Sequence, residues 1–362
     1  IHTAKTSIHL MVYIMKYAKE LRFVRHLATG EDFYDDAFYD WLLKNHCYYL
    51  LSKSKRYSER SKLFTILNAA VIHQRYNACG DLFAQLERLP YASIKGAPLS
   101  SRIYGTPFFR YSGDIDLLIP PSFVDAVKKI LLENGFIQGR VIDQKIVPYT
   151  RKEQIYQRSL THQLASFTRE TGKEFCPFVN IDVNQSILWG ETDLVMDMDA
   201  FMTHTEEYQI YGIPLRRLTP VWEFLSICMH HYKDMNSIYL IADRGLSLSE
   251  YCDIYYYLIN VAPDAQELAN ASKQYKISDY IYYCVYYAYK IFSDDRLLNY
   301  LYLLDSPSAQ ELIDCYGLNA DERQRWTSPF WERLFDDTFK DRFFDSLTQS
   351  QKRKVEINRQ FM

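Results

Sequence analysis

The chain has 362 residues, 48% of them hydrophobic and 24% charged, with a formal net charge of −3, enough for a large core and for two or three domains. No Lys/Arg block disturbs this balance, so the electrostatic footprint of a dedicated nucleic-acid binder is missing. Seven singly scattered cysteines without a CxxC pair argue against a disulfide framework and suit reduced thiols in a cytoplasmic protein.

Residues 1–88 read as an N-terminal helical region. The segments "FYDDAFYDWLLKNHCYYLL" and "KLFTILNAAVIHQRYNACGDLFAQLERL" carry apolar positions three and four apart, with almost no Gly or Pro. The early apolar run Ile8 to Met15 contains His9 and runs into Lys16, which is too short for a membrane span and lacks a cleavage signature. From 89 to 215 the punctuation changes, as Gly96, Pro98, Gly105, Pro107, Gly113, Pro120 and Pro121 break short β-type runs such as "YASIK", "DIDLLI", "FIQGRVI" and "FVNIDVN". One mixed sheet is expected there. Residues 216–362 return to helix: "LTPVWEFLSICMHHYKDM" opens with Thr219 as N-cap and Pro220 at the first helical position, and "DYIYYCVYYAYKIF" keeps helical spacing. The expected fold class is therefore α+β, a central mixed β-sheet flanked by N- and C-terminal helical regions that wall a cleft. The 31 tyrosines fall within periodic segments, as core residues with the hydroxyl at a wet edge.

"SGDIDLLIP" at 112–120 raises the chemical question. In a strand alternate side chains share a face, so Asp114 and Asp116 meet on one side while Ile115, Leu117 and Ile119 enter the opposite layer. Two like charges so close are costly unless a cation sits between them, and hard oxygen ligands suit Mg²⁺ or Mn²⁺. The plainer alternative is one aspartate capping the turn at Gly113 and the other facing solvent. "FVNIDVN" alternates in the same way and puts Asp182 on a polar face, in a strand paired as a hairpin whose turn lies near Gly172. Three carboxylates on neighbouring strands are able to hold two ions roughly 3.5 to 4 Å apart, the arrangement of two-metal phosphoryl-type transfer. Upstream, Lys95 and Gly96 follow a short strand, and the glycine lets backbone amides approach a phosphate at the start of a helix from Pro98. An ordinary strand-to-helix turn fits the same residues. Arg110 fits either a phosphate or a partnership with Asp114, while His230, His231 and Asp253 read first as structural residues within helices.

"IKGAPL", "YGTPFFRYSGDIDLLI", "ENGF" and "IDVN" resemble the DNA polymerase β-like nucleotidyltransferase superfamily, and more narrowly a poorly characterised bacterial nucleotidyltransferase family. The resemblance covers about residues 85 to 190. It implies that Asp114 and Asp116 bind two metals, that Asp182 completes the set, and that Lys95, Gly96 and Ala97 form the phosphate loop. The activity implied is transfer of a nucleoside monophosphate from a triphosphate, with ATP expected, to a hydroxyl on a small molecule, peptide or protein. The chain departs from the pattern in two places. Ala97 stands where a Ser or Gly is usual, with Ser100 or Ser101 as substitutes for the lost hydroxyl, and Asn184 stands where relatives carry His. Two other classes also fit: a sugar-nucleotide glycosyltransferase, which uses a DxD without the KG loop or third aspartate, and a non-catalytic nucleotide-binding scaffold.

Overall fold

The computed structural model describes residues 36–53, 58–190 and 192–361, together with Tyr17 and Val24; the run Ile8 to Met15 lies outside them. The first elements are helices α1 (Asp36–Lys44), α2 (Ser58–Ala78) and α3 (Gly80–Leu86). Next come β1 (Ala92–Ile94), α4 (Gly96–Tyr104), β2 (Ile115–Leu118), α5 (Val124–Glu133), β3 (Ile137–Ile142), β4 (Lys145–Pro148) and α6 (Arg151–Thr161). They are followed by β5 (Phe167–Glu170), β6 (Phe178–Asn184), the short α7 (Met198–Phe201), β7 (Thr205–Ile210) and β8 (Ile213–Leu218). A helical run closes the chain, beginning with α8 (Pro220–Asn236), α9 (Ile238–Arg244), α10 (Leu248–Asn260), α11 (Ala265–Gln274) and α12 (Ser278–Phe292). After it stand α13 (Leu298–Leu304), α14 (Pro307–Ile313), the two-residue strands β9 (Cys315–Tyr316) and β10 (Gln324–Arg325), α15 (Phe330–Phe335), α16 (Phe339–Ser346) and α17 (Gln349–Phe361). The fold is α+β, as its sequence pattern requires.

Strands β1 to β6 form one sheet in the order β1-β2-β6-β5-β3-β4, and β2 with β6 is its parallel pair. Period-2 alternation decides which way each strand faces. Ile115, Leu117, Val179, Ile181 and Val183 are buried in one apolar layer with Ile72, Phe83, Val127 and Leu131 from α2, α3 and α5. The opposite face carries Asp116, Asp182 and Asn184 and looks toward the C-terminal helices. The larger core of those helices also takes in Tyr39, Leu42 and Tyr48 to Leu51 from the N-terminal segment, and Ile94 and Leu118 from the sheet edge.

Two expectations are revised here. Residues 205–218 do not continue the main sheet but form a separate β7–β8 hairpin. Tyr211 and Gly212 both have positive φ, 52° and 79°, the backbone of a two-residue hairpin turn whose twist suits a closed pair. The helix expected from Pro98 starts at Gly96, so Pro98 lies in its first turn, where a missing N–H costs nothing. The tyrosines are mostly core residues, but many of their hydroxyls bond internally rather than to water: Tyr257 Oη donates to the Pro220 carbonyl at 2.8 Å, and Tyr287 Oη to that of Ile313 at 2.7 Å. All seven cysteines are free. No helix among the described residues is long and apolar enough to cross a membrane.

One buried ion pair ties α4 to the helical part. Arg102 pairs with Glu223 at the start of α8, and Tyr257 Oη bonds Glu223 at 3.0 Å. Glu223 is 1% exposed, and its loss leaves Arg102 with Glu206 at 3.0 Å and the Leu218 carbonyl as its remaining partners. Glu223→Ala should lower unfolding stability by about 1 to 3 kcal/mol, read from denaturant melts.

Candidate active site

The site begins with register. In the parallel pair, Asp116 on β2 stands directly opposite Asp182 on β6, and Ile94 on β1 opposes Asp116 from the other side. Asp114, two residues before Asp116 and just ahead of the strand, shares its direction. The loop that carries it is pinned from beneath. Arg75 of α2 donates to the Ser112 carbonyl at 2.9 Å and reaches that of Asp114 at 3.4 Å, Ser112 Oγ donates to the Asp114 carbonyl at 3.0 Å, and Asn68 holds the carbonyls of Phe108 and Arg110.

Lys95 and Gly96 form the facing edge. Lys95 takes φ 54°, ψ −152°, a conformation that residues with a side chain seldom adopt. Gly96 follows at φ 42°, and a Cβ there would stand 2.7 Å from Ser112 Oγ. Glycine is the residue that lets β1 turn into α4 this close to the acidic loop. The turn brings Lys95 Nζ to 2.7 Å from Asp116 Oδ1, with both side chains largely buried.

Each carboxylate is compensated differently. Asp116 Oδ1 accepts from Lys95 and, at 3.2 Å, from Asn184 Nδ2. Asp182 accepts a hydrogen bond from Ser166 Oγ, its neighbour across β5 and β6. Burial, then the charges of Asp116 and Asp182, push Asp114 up to about 7, against the opposing pull of Lys95 and Arg75. Burial and Asp116 also raise Asp182. For Lys95 burial works against the charge, but Asp116, Asp114 and Asp234 outweigh it and hold the ammonium protonated.

Across a cavity of about 490 Å³ stand residues of the helical part: His230, Lys233 and Asp234 of α8, Tyr239 and Arg244 of α9, and Asn319 and Glu322 between β9 and β10. Asp234 is the hub of that wall, 2.7 Å from Arg244, 3.1 Å from His230 Nε2 and 3.6 Å from Lys233. Burial pushes the His230 imidazole well below its usual value, so it is neutral. On the near side the rings of His46 and Tyr111 stack, 4.8 Å apart at 12°.

The expected site residues divide accordingly. Asp114, Asp116, Asp182, Lys95 and Gly96 line one cavity. Ala97 is next to them, but its side chain points into the sheet core. Ser100 does not belong: wholly buried, its hydroxyl donates to the Thr106 carbonyl and accepts from the Arg110 amide, so both of its capacities are used in closing a loop. Arg110 lines the same cavity but is already paired. Its guanidinium is spent on Asp253, with Nε at 2.9 and 3.0 Å from the two carboxylate oxygens, and His231 Nε2 completes the cluster at 3.1 Å. Burial acts to raise Asp253, yet Arg110 and His231 prevail and keep it ionised. The alternative partner for Arg110, Asp114, is therefore also replaced by Asp253. Ser166, Asn68, Arg75 and the Asp234 hub carried no signal of their own in sequence, since each acts through a partner at least sixteen positions away or on another element. The exception is His230 with Asp234, whose i, i+4 spacing was visible.

The three aspartates fit a divalent cation by donor chemistry, being hard oxygen ligands whose mutual repulsion a cation relieves. They do not form a closed cage. Among the described residues, the group of three whose ligand atoms all lie within 4.8 Å of one another is His230, His231 and Asp234. There Arg244 already neutralises Asp234, and Asp253 already engages His231, so that group is an internal charge network that leaves little for an ion.

Acidic side chains at a strand end, a lysine and a helix N-terminus reached through glycine make a site of the class that handles phosphate groups. Residues 46–293 match a protein family described as uncharacterised nucleotidyltransferase, and the chain belongs to that family. No curated protein and no solved structure matches it.

Asp114 gives the site a pH signature. Its folded-state value, about 7, lies above the unfolded one, so the native state binds more protons between pH 4 and 7. Stability from this group is thus present at acid pH and lost as pH rises toward 7. Melting temperatures of metal-free protein across that window should carry this downward contribution, and Asp114→Asn should remove it.

Proposed function

We propose that this protein is a metal-dependent nucleotidyltransferase of the polymerase β-like kind, moving a nucleoside monophosphate from a triphosphate, with ATP as the expected donor, to a hydroxyl acceptor. The observation that carries the reading is the pairing of Asp116 with Asp182 in register, with Asp114 and Lys95 beside them. Asp114, Asp116 and Asp182 would hold Mg²⁺ or Mn²⁺, which when bound neutralises the carboxylates and the phosphate oxygens. Lys95 is the protein's own countercharge to Asp116, and it is free to turn to a triphosphate once another cation takes that carboxylate. Gly96 admits the phosphate chain to the first turn of α4. Asp182 accepts from Ser166 Oγ on Oδ1 and also from the Gln163 side chain, and its remaining lone pairs would receive the acceptor's proton. Transfer at such a site rests on alignment and charge stabilisation. A glycosyltransferase has no use for the KG turn, and a scaffold has no use for a compressed, poorly compensated trio of acids.

Incubation with α- and γ-labelled triphosphates tests the class directly: α-label retained on a product means nucleotidyl transfer, γ-label means a kinase, and neither means a scaffold. Asp116→Asn changes charge with little change in shape. The metal-free variant should melt below the wild-type temperature, because the buried Lys95 ammonium loses its partner at 2.7 Å, while its stabilisation by Mg²⁺ plus nucleotide, roughly 2.7 kcal/mol at a hundredfold excess over Kd, and its activity should both be lost. A variant that keeps the ligand shift would make Asp116 a structural residue that serves only as the partner of Lys95. Lys95→Ala should weaken nucleotide binding about tenfold and leave metal binding undiminished, because an ammonium attracts phosphate and repels Mg²⁺. Equal nucleotide affinities in isothermal titration would return Lys95 to a structural role.

A further inference from the structure

Of the three aromatic residues in "TPFFRYSGDID", one stays out of the cores. Phe109 packs against the core of the C-terminal helices and Phe108 against the layer beneath the sheet, whereas Tyr111 is 45% exposed and lines the same cavity as Asp114. A single exposed ring on a protein surface needs no explanation. This one is set in place from several sides. Its carbonyl accepts from Arg110 Nη1 at 3.2 Å, and the carbonyls of Arg110 before it and Ser112 after it are held by Asn68 and Arg75. Its phenol tip folds back along the acidic loop, since a Cβ placed on Gly113 would stand 3.8 Å from Tyr111 Oη.

One face of the ring is covered by His46, stacked at 4.8 Å and 12°. His46 follows α1 with φ 55°, the left-handed backbone that commonly ends a helix. Burial, and then the charge of Arg110, lowers its imidazole below the ordinary value, so at neutral pH it backs the phenol ring without a charge of its own. With that side covered, the exposed part of Tyr111 is the opposite face and the edge. The pair thus presents an open aromatic surface at the mouth of the cavity that holds the acidic trio. Three residues of chain reach at most about 10 Å, which puts the ring within a nucleotide's length of Asp114.

Resting on the nucleotidyltransferase reading above, we infer that Tyr111, backed by His46, is the platform on which the base of the nucleoside triphosphate stacks while its phosphates lie along Lys95 and Gly96. The two ends of a nucleotide then meet surfaces of matching kind. The polyanionic end meets the ammonium and the helix start, and the planar uncharged end meets an aromatic face that carries no charge and is already ordered, so little is lost in fixing it on binding. Stacking of this kind accepts purine bases alike, because each has a π-face.

Isothermal titration of the full chain with the Mg²⁺ complexes of ATP, GTP and inorganic tripolyphosphate tests this, since tripolyphosphate carries the phosphates without a base. Wild type should bind both nucleotides more tightly than tripolyphosphate. Tyr111→Ala should weaken ATP and GTP about tenfold, the loss of one base–aromatic stack, and leave tripolyphosphate unchanged, whereas Tyr111→Phe should keep the wild-type affinities. Metal-free melting temperatures check that both variants fold, as substitution of an exposed side chain allows. Equal losses for nucleotide and tripolyphosphate would make Tyr111 a prop of the acidic loop. A phenylalanine variant that falls as far as the alanine one would assign the effect to the hydroxyl at Gly113. Either result overturns the platform, as do nucleotide affinities that alanine leaves unmoved or a wild type that binds tripolyphosphate as tightly as ATP. A wild type that binds none of the three sinks the nucleotidyltransferase reading itself, and the platform with it.

Discussion

The ion pair between Lys95 and Asp116 is the contact on which the site depends. Three carboxylates at the end of one parallel strand pair repel one another, and the repulsion appears in the structure as two aspartates displaced upward in pKa and one held by an ammonium at 2.7 Å. Placing that ammonium requires an uncommon backbone at Lys95, then a glycine that grazes Ser112, then a loop pinned by Arg75. Each of these costs something in isolation. They are tolerated together because the apolar layer beneath, from Ile115 to Val183, over-determines the positions of β2 and β6.

The wall opposite obeys a different rule. On the sheet side negative charge is left partly uncompensated, whereas on the α8 side three buried acids each have a base: Asp234 with Arg244 and His230, Asp253 with Arg110 and His231, Glu223 with Arg102; Glu250 is the exception, 3.4 Å from an Arg244 that sits closer to Asp234. Buried pairs of this sort add little net stability, but breaking one is costly, so they fix α8 and α10 against the sheet without offering charge to a ligand. The cleft is thus electrostatically one-sided. A polyvalent ligand finds its unsatisfied partners at the strand ends. Residues 318–358, beyond the stretch that matches the family, supply Leu318, Asn319, Glu322 and Asn358 to the cavity.

Much of this was legible in the sequence, and for definite reasons. Alternation in "DIDLL" and "FVNIDVN" determined which face each aspartate takes, because the strand period is two whatever the tertiary context. Thr219-Pro220 marked the start of α8 because proline fits only the first turn. Partnerships were not legible. Arg110 stood close in sequence to Asp114 and found Asp253, 143 positions away, because a wholly buried carboxylate binds a guanidinium more tightly than one shared with a lysine and an arginine on the site's own side. Ser100 looked available because a hydroxyl in a helix near a phosphate loop usually is, but the turn at Thr106 had claimed it. The β7–β8 hairpin escaped notice because a Tyr-Gly turn at positive φ gives a weaker signal than Asn-Gly.

Asn184 brings these strands of argument together. As a departure from a histidine it suggested lost chemistry, yet its side-chain amide donates to Asp116 Oδ1 at 3.2 Å and reaches the Leu117 carbonyl at 3.4 Å. A histidine there would bring a second titratable group to a carboxylate that Lys95 already neutralises. An amide keeps its donor at every pH and cannot take the proton. Asp116 is held by two fixed donors, and Asp182 by the Ser166 hydroxyl and the Gln163 side chain, while burial and mutual repulsion make Asp114 and Asp182 the more basic pair. Asn184 therefore adds a fixed donor to Asp116 at the strand end where burial and mutual repulsion raise Asp114 and Asp182.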